Sequence, residues 1–298
     1  MPAVQSARES ARNALCKSRL AQIGIALESF HSFHGKFPGG AIRSTAGTMN
    51  LSTHVQILPH LDQQTIYDQF DHAESGSGLN KDPPESDVNG DLLMLDLPIF
   101  ACPSDGLAGG KCSFRISAGT SPGMHESLPP SPSGALQGYR SLMGRADGTF
   151  VDGKSQTTAF SERLAGDRDA KHYTPWRDSA FAIFDPASSI ITPDQAVALC
   201  ERPVNPNPKH ASFGGFTWAL SGYSQTWYNH VLPPNASTPD CAAGGPGGLG
   251  AYTARSFHVG GVNTLFADGS VHFSANSIEL PVWRALGTVN GHESVSID

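Results

Sequence analysis

Residues 2–35, PAVQSARESARNALCKSRLAQIGIALESFHSFHG, decide the fold because they carry one long helical period. Apolar residues recur there at spacings of three and four, with one double step: Val4, Ala7, Ala11, Leu15, Ile23, Leu27 and Phe30. Gly35, followed by Pro38-Gly39-Gly40, is a typical helix C-terminus. We therefore predict one helix over 3–34, whose thin amphipathic stripe needs a partner surface along its length.

The chain beyond residue 40 has the texture of short strands separated by long loops. Charged residues make up only 16% of the chain, whereas it contains 32 Gly and 22 Pro, which favours a loop-rich, β-rich protein. Candidate strands lie around 157–161, 180–184, 213–220 and 226–232, and candidate loops at 73–90, 119–138 and 233–250. Strands and helices do not alternate, so a parallel doubly wound sheet is not expected.

The clearest hairpin lies at 262–273. Residues 262–267 alternate apolar and polar side chains, Asp268-Gly269 follows, and 270–273 return. An Asp-Gly pair between alternating runs favours a type I′ turn, in which both central residues have positive φ. The predicted fold class is α+β, with an N-terminal helix at 1–35 packed on an antiparallel sheet within a large β-rich head at 36–298.

Composition excludes some classes of partner. The formal net charge of −7, with no run of Lys and Arg, argues against nucleic acid, whose phosphates require a basic face. No stretch approaches the roughly 18 to 20 apolar residues that span a bilayer, and Met1-Pro2-Ala3 does not begin a signal peptide. We expect this chain to be soluble and not inserted in a membrane.

The five cysteines leave several disulfide pairings open. Cys102 and Cys112 flank a Gly-rich loop of a length that a disulfide can close, and Cys200 could pair with Cys241, which leaves Cys16 unpaired. Cys16 could equally pair with Cys102. None of them lies in a CxxC pair, so a cysteine-rich zinc site is not expected.

Several segments, taken together, resemble a known family. The matching motifs are residues 2–12, Cys16, 20–27, 37–40, 57–63, 100–104, 228–235, the H-x9-DG pattern from His258 to Asp268-Gly269, and 283–287. They resemble the DUF1559 family, also filed as a solute-binding family. The segment 2–12 is similar to the part of those proteins that follows a prepilin cleavage site and its apolar helix.

The resemblance implies a pseudopilin-like subunit of a type II secretion or type IV pilus-like system. Such a precursor is tethered to the inner membrane and displayed outside the cytoplasm, with other pilin-like subunits or cell-surface components as partners. The exposed first half of its helix packs against other subunits, and the second half packs on an antiparallel sheet. The family implies no established activity, so the leading expectation is a structural or interaction protein rather than an enzyme. The leader and apolar helix are not in this sequence.

A second hypothesis is a metal-dependent hydrolase of esters, phosphoesters or glycosides. Four residues at predicted strand ends or turns would form its metal site: Glu162, His230, His258 and Asp268, with His210 as a spare ligand. Mixed imidazole and carboxylate ligands suit one divalent zinc, manganese, iron or nickel ion. An open position would acidify a bound water, and Glu162 could instead act as the catalytic base. Turn, capping and ion-pair roles explain the same residues without any metal.

A third hypothesis is a surface module that binds glycans or small solutes. An aromatic cluster that includes Trp227 could serve as its stacking platform, whereas Arg163 or Arg255 could hold an anionic substrate of the hydrolase. The segment 148–155 fits the pattern of a phosphate loop, but β-prone residues follow it where that loop needs a helix. We therefore do not expect nucleotide binding.

Overall fold

In the computed structural model, which describes residues 2–43, 50–72, 89–107, 112–123, 148, 150–182, 192–201 and 209–291, the N-terminal segment forms one helix, α1, Pro2–His34. It ends as predicted, because Gly35 takes φ +69° and donates its N–H to the His31 carbonyl at 2.8 Å. Among the described helices, none combines the length and the apolarity needed to cross a bilayer.

The described residues also contain short helices and eleven strands. The helices are α2 Thr53–Gln56, α3 Gln64–Tyr67, α4 Gly90–Leu93, α5 Pro193–Cys200 and α6 Leu280–Leu286. The strands are β1 Ala41–Arg43, β2 Asn50–Ser52, β3 Phe114–Ser117, β4 Thr158–Glu162, β5 Ser179–Ala182, β6 His210–Ala211, β7 Trp227–Tyr228, β8 Cys241–Ala243, β9 Leu249–Ala251, β10 Gly261–Phe266 and β11 Val271–Ala275. Short 3-10 turns occupy Leu58–Leu61, Pro98–Phe100 and Lys154–Gln156.

The central sheet has five strands in the order β11-β10-β4-β3-β7. The first three pairings are antiparallel, and only β3 with β7 is parallel. The α+β prediction is therefore confirmed, with one parallel pairing inside a sheet that was expected to be antiparallel. A second sheet, β6-β5-β8-β9, and the pair β1-β2 complete the strand pairing.

The two faces of the central sheet pack against different helices. On one face, Ile23 and Leu27 of α1 share a core with Phe160 and Leu265. Gly24 permits this approach, since an added Cβ would lie 2.9 Å from Leu265 Cδ1. The opposite face packs on α6 through a core formed by Tyr228, Ala254, Val262, Phe266, Trp283 and Leu286. Because strand residues alternate between faces, β10 contributes Leu265 to one core and Val262 and Phe266 to the other.

The apolar period of α1 divides between two faces of the helix. Ile23 and Leu27 are buried against the sheet, whereas Val4 and Leu15 are 54% and 44% exposed. The predicted single stripe is therefore wrong in detail. The two halves of the stripe face different environments. The eight-residue step from Leu15 to Ile23 rotates the later apolar residues around the helix, away from the line of the earlier ones.

The second sheet carries a buried ionic centre. Asp240, just before β8, accepts hydrogen bonds from Arg163 at 3.0 Å and from Arg255 at 3.2 Å. Burial alone would raise the pKa of Asp240, but the two guanidinium groups outweigh it and lower that pKa. The ionised Asp240 therefore connects Arg163, which follows β4, to Arg255, which lies in the segment before β10.

Several strand and loop predictions need correction. The predicted strand 213–220 is wrong, because Gly214 and Gly215 form a turn and Gly215 takes φ +67°. Of 226–232, only β7 is a strand. The predicted loop 233–250 contains β8 and most of β9, whose small residues pair closely: a Cβ on Gly250 would lie 1.8 Å from the Cys241 carbonyl oxygen. Most of the predicted loops 73–90 and 119–138 lies outside the described residues.

The hairpin β10-β11 is confirmed, but its turn type is not. Phe266 N–H donates to the Ser270 carbonyl at 2.8 Å, so the loop has three residues, 267–269. Gly269 alone has positive φ, +85°, which fits a type I turn followed by a left-handed glycine rather than type I′. Asp268 Oδ1 instead accepts the Ser270 N–H at 2.9 Å.

Candidate functional site

His258 lies buried between α1 and the central sheet, in the segment that leads into β10. Its Nδ1 is 2.7 Å from Glu9 Oε1 on the helix, and its Nε2 is 3.0 Å from Glu162 Oε1 at the end of β4. The His258 side chain has no exposed surface, and that of Glu162 is 1% exposed. One imidazole therefore connects a carboxylate of the helix to a carboxylate of the sheet.

Local backbone geometry holds this imidazole in place. Ser256 Oγ accepts the His258 N–H at 3.1 Å and donates to the Gly261 carbonyl at 2.8 Å. Gly260 takes φ +91°, which turns the chain into β10. The side chain of His258 is therefore fixed by the turn that begins the hairpin.

Asn263 of β10 fixes the Glu162 carboxylate. Its backbone N–H donates to Glu162 Oε2 at 2.7 Å, and its Nδ2 lies 3.2 Å from Glu162 Oε1 and 2.8 Å from Asn13 Oδ1. Glu162 and Asn263 face α1 because they alternate with Ser161 and Val262, which face away from it. The carboxylate thus has fixed hydrogen-bond donors before it meets His258.

The helix presents Glu9, Asn13 and Cys16 on the face toward the sheet, at spacings of four and three. Glu9 also accepts hydrogen bonds from Ser104 Oγ at 2.9 Å and from Arg12 Nε at 2.9 Å. Glu9 is thereby anchored to the loop after the 3-10 turn at Pro98–Phe100 as well as to His258.

A disulfide between Cys16 and Cys102 adjoins this network. Cys102 Sγ is 3.5 Å from His258 Nε2. One ligand atom each from Cys16, Cys102, Glu162 and His258 lies within 4.8 Å of the others. We call these four residues, with Glu9 and Asn263, the His258 cluster.

The cluster favours a protonated imidazole. Burial alone would lower the pKa of His258, but the hydrogen bonds and charges of Glu162 and Glu9 outweigh it and raise that pKa above its ordinary value. Burial would raise the pKa of Glu9, yet His258, Ser104 and Arg12 lower it. An imidazolium between two carboxylates is an ionic tie between helix and sheet, and it has no free nitrogen with which to act as a base.

His230 lies away from this cluster, on the opposite side of the central sheet. Its Nδ1 is 2.7 Å from the Trp283 carbonyl, its Nε2 is 2.9 Å from Thr158 Oγ1, and its ring stacks on Trp283. Burial lowers its pKa to about 3, so it is neutral. A Cβ on Gly287 would lie 2.7 Å from the His230 ring, which shows how tightly the site is filled.

The proposed four-ligand set therefore does not converge. Asp268 lies on the exposed turn at the far end of β10, where its carboxylate bonds to Ser270. The spare candidate His210 lies in the second sheet, 3.1 Å from the Asp169 carbonyl and 3.7 Å from Asp178. Only His258 and Glu162 of the predicted ligands come together, because register and chain reversal decide which strand ends are neighbours.

The predicted substrate-binding residues are committed to the protein interior. Arg163 and Arg255 are 3% and 1% exposed and both bind Asp240. Trp227 is 3% exposed, and its Nε1 donates to the Gly40 carbonyl at 3.2 Å. In the segment 148–155, the 3-10 turn Lys154–Gln156 is followed directly by β4. The helix that a phosphate loop requires is not there.

The cysteine pairings settle the alternatives that the sequence left open. Cys16 pairs with Cys102, and Cys200 of α5 pairs with Cys241 of β8. Cys112 is a free, buried thiol, so the pairing of Cys102 with Cys112 is wrong. Burial raises the pKa of the Cys112 thiol to about 12.

A comparison with protein families identifies the family of this chain. The model of a family described as "Protein of unknown function (DUF1559)" matches residues 5–280. The chain belongs to the DUF1559 family. No curated protein and no solved structure matches it.

The match includes the whole His258 cluster of this DUF1559 chain, from Glu9 to Asn263. Sequence reasoning found His258 and Glu162 but missed Glu9, Asn13 and Asn263. One signal was available, since Glu9 and Asn13 extend the line of Cys16, Leu20 and Ile23 toward the start of the helix at the same spacing. The partners across the cluster are distant in the chain, and no spacing could have indicated them.

Proposed function

We propose that this DUF1559 chain is a non-catalytic, pilin-like structural subunit displayed outside the cytoplasm, which assembles with copies of itself through the outer face of α1. The observation that carries the proposal is the division of α1 into two halves. From Cys16 onward the helix buries residues in the head, whereas residues 3–15 are exposed except for the half-buried Glu9 and Asn13. The first half of the helix is thus held at the head by few contacts and is available to another chain.

An uncharged line of residues runs along the outer face of α1. We call it the outer stripe: Val4, Ala7, Ala11, Leu15, Ser18, Gln22, Ile25, Ser29 and Phe33. At 100° per residue these positions fall within a sector of about 80°, and they extend over about 45 Å of helix. Ile25 is 70% exposed and Phe33 is 80% exposed, which is unusual for large apolar side chains.

A second copy of α1 is the occupant that best fits the outer stripe. The residues of the stripe recur at spacings of three and four. Small side chains such as Ala11 and Ser18 alternate there with larger ones such as Leu15 and Ile25, which suits helices that pack side by side. A stripe without charge can face an identical stripe without placing like charges together. A cavity of about 420 Å³ adjoins the stripe at Phe33, beside His34 and His60, and it lies at the end of the helix away from Val4, Ala7, Ala11 and Leu15.

The disulfides support an oxidising location. Both Cys16–Cys102 and Cys200–Cys241 join separate elements, and such bonds persist mainly outside the reducing cytosol. The two other hypotheses find less support. The hydrolase ligands His230 and Asp268 lie apart from His258, and the substrate-binding candidates Arg163 and Arg255 are saturated by Asp240.

Crosslinking at a membrane surface tests the proposal. The chain is tethered through an N-terminal hexahistidine tag to vesicles with nickel-chelating lipid, which raises the local concentration of α1. Leu15→Cys and Ile25→Cys variants are treated with a short bismaleimide, which leaves the buried Cys112 unreacted in the folded chain. We expect covalent dimers from both variants and few from Ser277→Cys, an exposed position on the head.

A charge in the stripe provides the matched test. Leu15→Glu should abolish crosslinking through Ile25→Cys, whereas Ser10→Glu, exposed but outside the stripe, should leave it unchanged. Equal crosslinking at Ser277→Cys and at the stripe, or dimers that persist with Leu15→Glu, would show random collision and contradict the proposal.

A further inference from the structure

We propose that the His258 cluster has a second state, in which a dithiol reductant has opened the Cys16–Cys102 disulfide and the two sulfurs, His258 and Glu162 bind one zinc ion. The disulfide and the metal would then be alternative ties between α1 and the head. This inference uses neither the outer stripe nor assembly, so it stands or falls separately from the proposed function.

The donor atoms have the right chemistry and are already close together. Two cysteine sulfurs, one imidazole nitrogen and one carboxylate oxygen lie within 4.8 Å of one another, all from buried residues. Four such ligands suit tetrahedral zinc. Zinc–sulfur bonds of about 2.3 Å need the two sulfurs to separate to roughly 4 Å. Rotation of the two cysteine side chains provides such a change once the disulfide is open.

The surrounding residues orient the ligands as metal sites require. Glu9 Oε1 is 2.7 Å from His258 Nδ1, so it can hold the Nδ1 proton and leave Nε2 facing Cys102 and Glu162. This is the carboxylate–histidine–metal arrangement found around zinc. Asn263 N–H holds Glu162 Oε2, while Oε1 faces His258. Both non-sulfur ligands therefore have an outer partner.

An unsatisfied atom in the wall of the cluster points in the same direction. Asn263 is fully buried, and its Oδ1 has no hydrogen-bond partner, although its Nδ2 is bound to Asn13 and Glu162. A buried amide oxygen without a donor is costly and needs an explanation, such as a bound ion or its water.

The conversion balances in electrons and protons. A dithiol gives two electrons to the Cys16–Cys102 bond and becomes a disulfide itself, and the chain gains two thiols. Zinc then displaces the two thiol protons, and any proton on His258 Nε2 leaves to solvent as that nitrogen binds the ion. Glu162 loses its imidazolium partner and gains the cation in its place.

Cobalt titration of the wild-type chain tests this site. The chain is reduced without oxygen, freed of reductant, and titrated with Co²⁺, whose charge-transfer bands report thiolate ligands. We expect about one cobalt per reduced chain, with the intense d–d bands of a tetrahedral site. The same chain with its disulfides intact should show no charge-transfer band, and this comparison needs no variant that might fail to fold.

Thiol mapping identifies the ligands. Zinc should protect Cys16 and Cys102 of the reduced chain from a maleimide, while Cys200 and Cys241 react once they are accessible. A Cys200→Ser, Cys241→Ser variant should retain the cobalt spectrum, and Glu162→Gln should weaken binding at least tenfold. No stoichiometric cobalt in the reduced chain, a spectrum that is equal in the oxidised chain, or protection of Cys200 and Cys241 instead would each overturn the proposal.

Discussion

His258 connects α1 to the central sheet through two carboxylates. It is buried between Glu9 and Glu162, whose side chains are 27% and 1% exposed, so water can reach Glu9 but cannot replace the imidazole beside Glu162. A buried ion pair gains little over an apolar contact, but the loss of one partner leaves the other charge uncompensated. The cluster therefore makes the position of α1 specific more than it makes the protein stable.

Glu162→Gln tests this point. The amide keeps the shape of the side chain but removes the charge beside His258, so we expect the free energy of unfolding to fall by about 2 to 3 kcal/mol. Denaturant titration measures it. Glu28→Gln, whose partner Lys154 is 3.7 Å away at the surface, should change it by no more than about 0.5 kcal/mol. Equal effects of the two substitutions would contradict an ionic role for Glu162.

His230 gives the protein a defined sensitivity to acid. Its pKa is about 3 in the folded chain because of burial, and about 6.5 in an unfolded chain. The unfolded chain therefore binds the additional proton between these values. The stabilising contribution is complete above pH 6.5 and is lost as the pH falls toward 3.

We expect His230→Asn to lower stability at pH 7 but to reduce the dependence of the unfolding free energy on pH. Between pH 4 and 6 the slope should decrease by about 1.4 kcal/mol per pH unit, the value for one proton. Denaturant titrations at several pH values measure this slope. Tyr228→Phe removes a neighbouring hydroxyl that lies 3.0 Å from His230 Nε2 but keeps the imidazole, so it should retain the wild-type slope.

At the scale of elements, the hairpin β10-β11 organises both sides of the central sheet. Its first strand places Asn263 and Leu265 toward α1 and Val262 and Phe266 toward α6. Its turn lies against α1. A Cβ added to Gly24 would be 3.3 Å from the Gly269 carbonyl oxygen and 3.4 Å from the Gly269 Cα. The register of one strand therefore decides what both helices contact.

Gly269→Ala isolates the backbone requirement of this turn. Nothing lies within 4 Å of the added Cβ, so the cost comes only from φ +85°. We expect a loss of about 1 kcal/mol in the free energy of unfolding. Gly269→Asn should recover part of it, because asparagine tolerates the left-handed region. Gly90→Ala, which is equally unobstructed and lacks positive φ, should be neutral or stabilising. A similar loss at both glycines would show that φ is not the cause.

At the scale of the whole molecule, one disulfide joins α1 to the loop after Pro98–Phe100 and another joins α5 to β8. Cys16–Cys102 spans 86 residues and holds α1, and Cys200–Cys241 spans 41 residues and holds α5. Because the longer loop restricts the unfolded chain more, its removal should cost slightly more, about 4 to 5 kcal/mol against about 4 kcal/mol. The two disulfides are therefore better distinguished by the part of the chain that loses stability than by the size of the loss.

Hydrogen exchange of paired serine variants measures that location. Cys16→Ser with Cys102→Ser should increase amide exchange mainly in α1 at 2–34, with the greatest change near Glu9. Cys200→Ser with Cys241→Ser should increase it mainly in α5 at 193–200 and leave α1 protected. Increased exchange of α1 in both variants would show that the two ties act through one cooperative unit.

Local periodicity and turn residues sufficed to predict the long helix with its end at Gly35, the hairpin at 262–273 and the α+β class, and matching motifs sufficed for the family. It also identified His258 and Glu162. Three features follow from long-range packing instead: Glu9 and Asn263 complete the site, His230 lies on the other side of the sheet, and Cys16 pairs with Cys102. These contacts join residues up to 250 positions apart. Strand register and helix rotation set them, and neither is encoded in the spacing of residues along one segment.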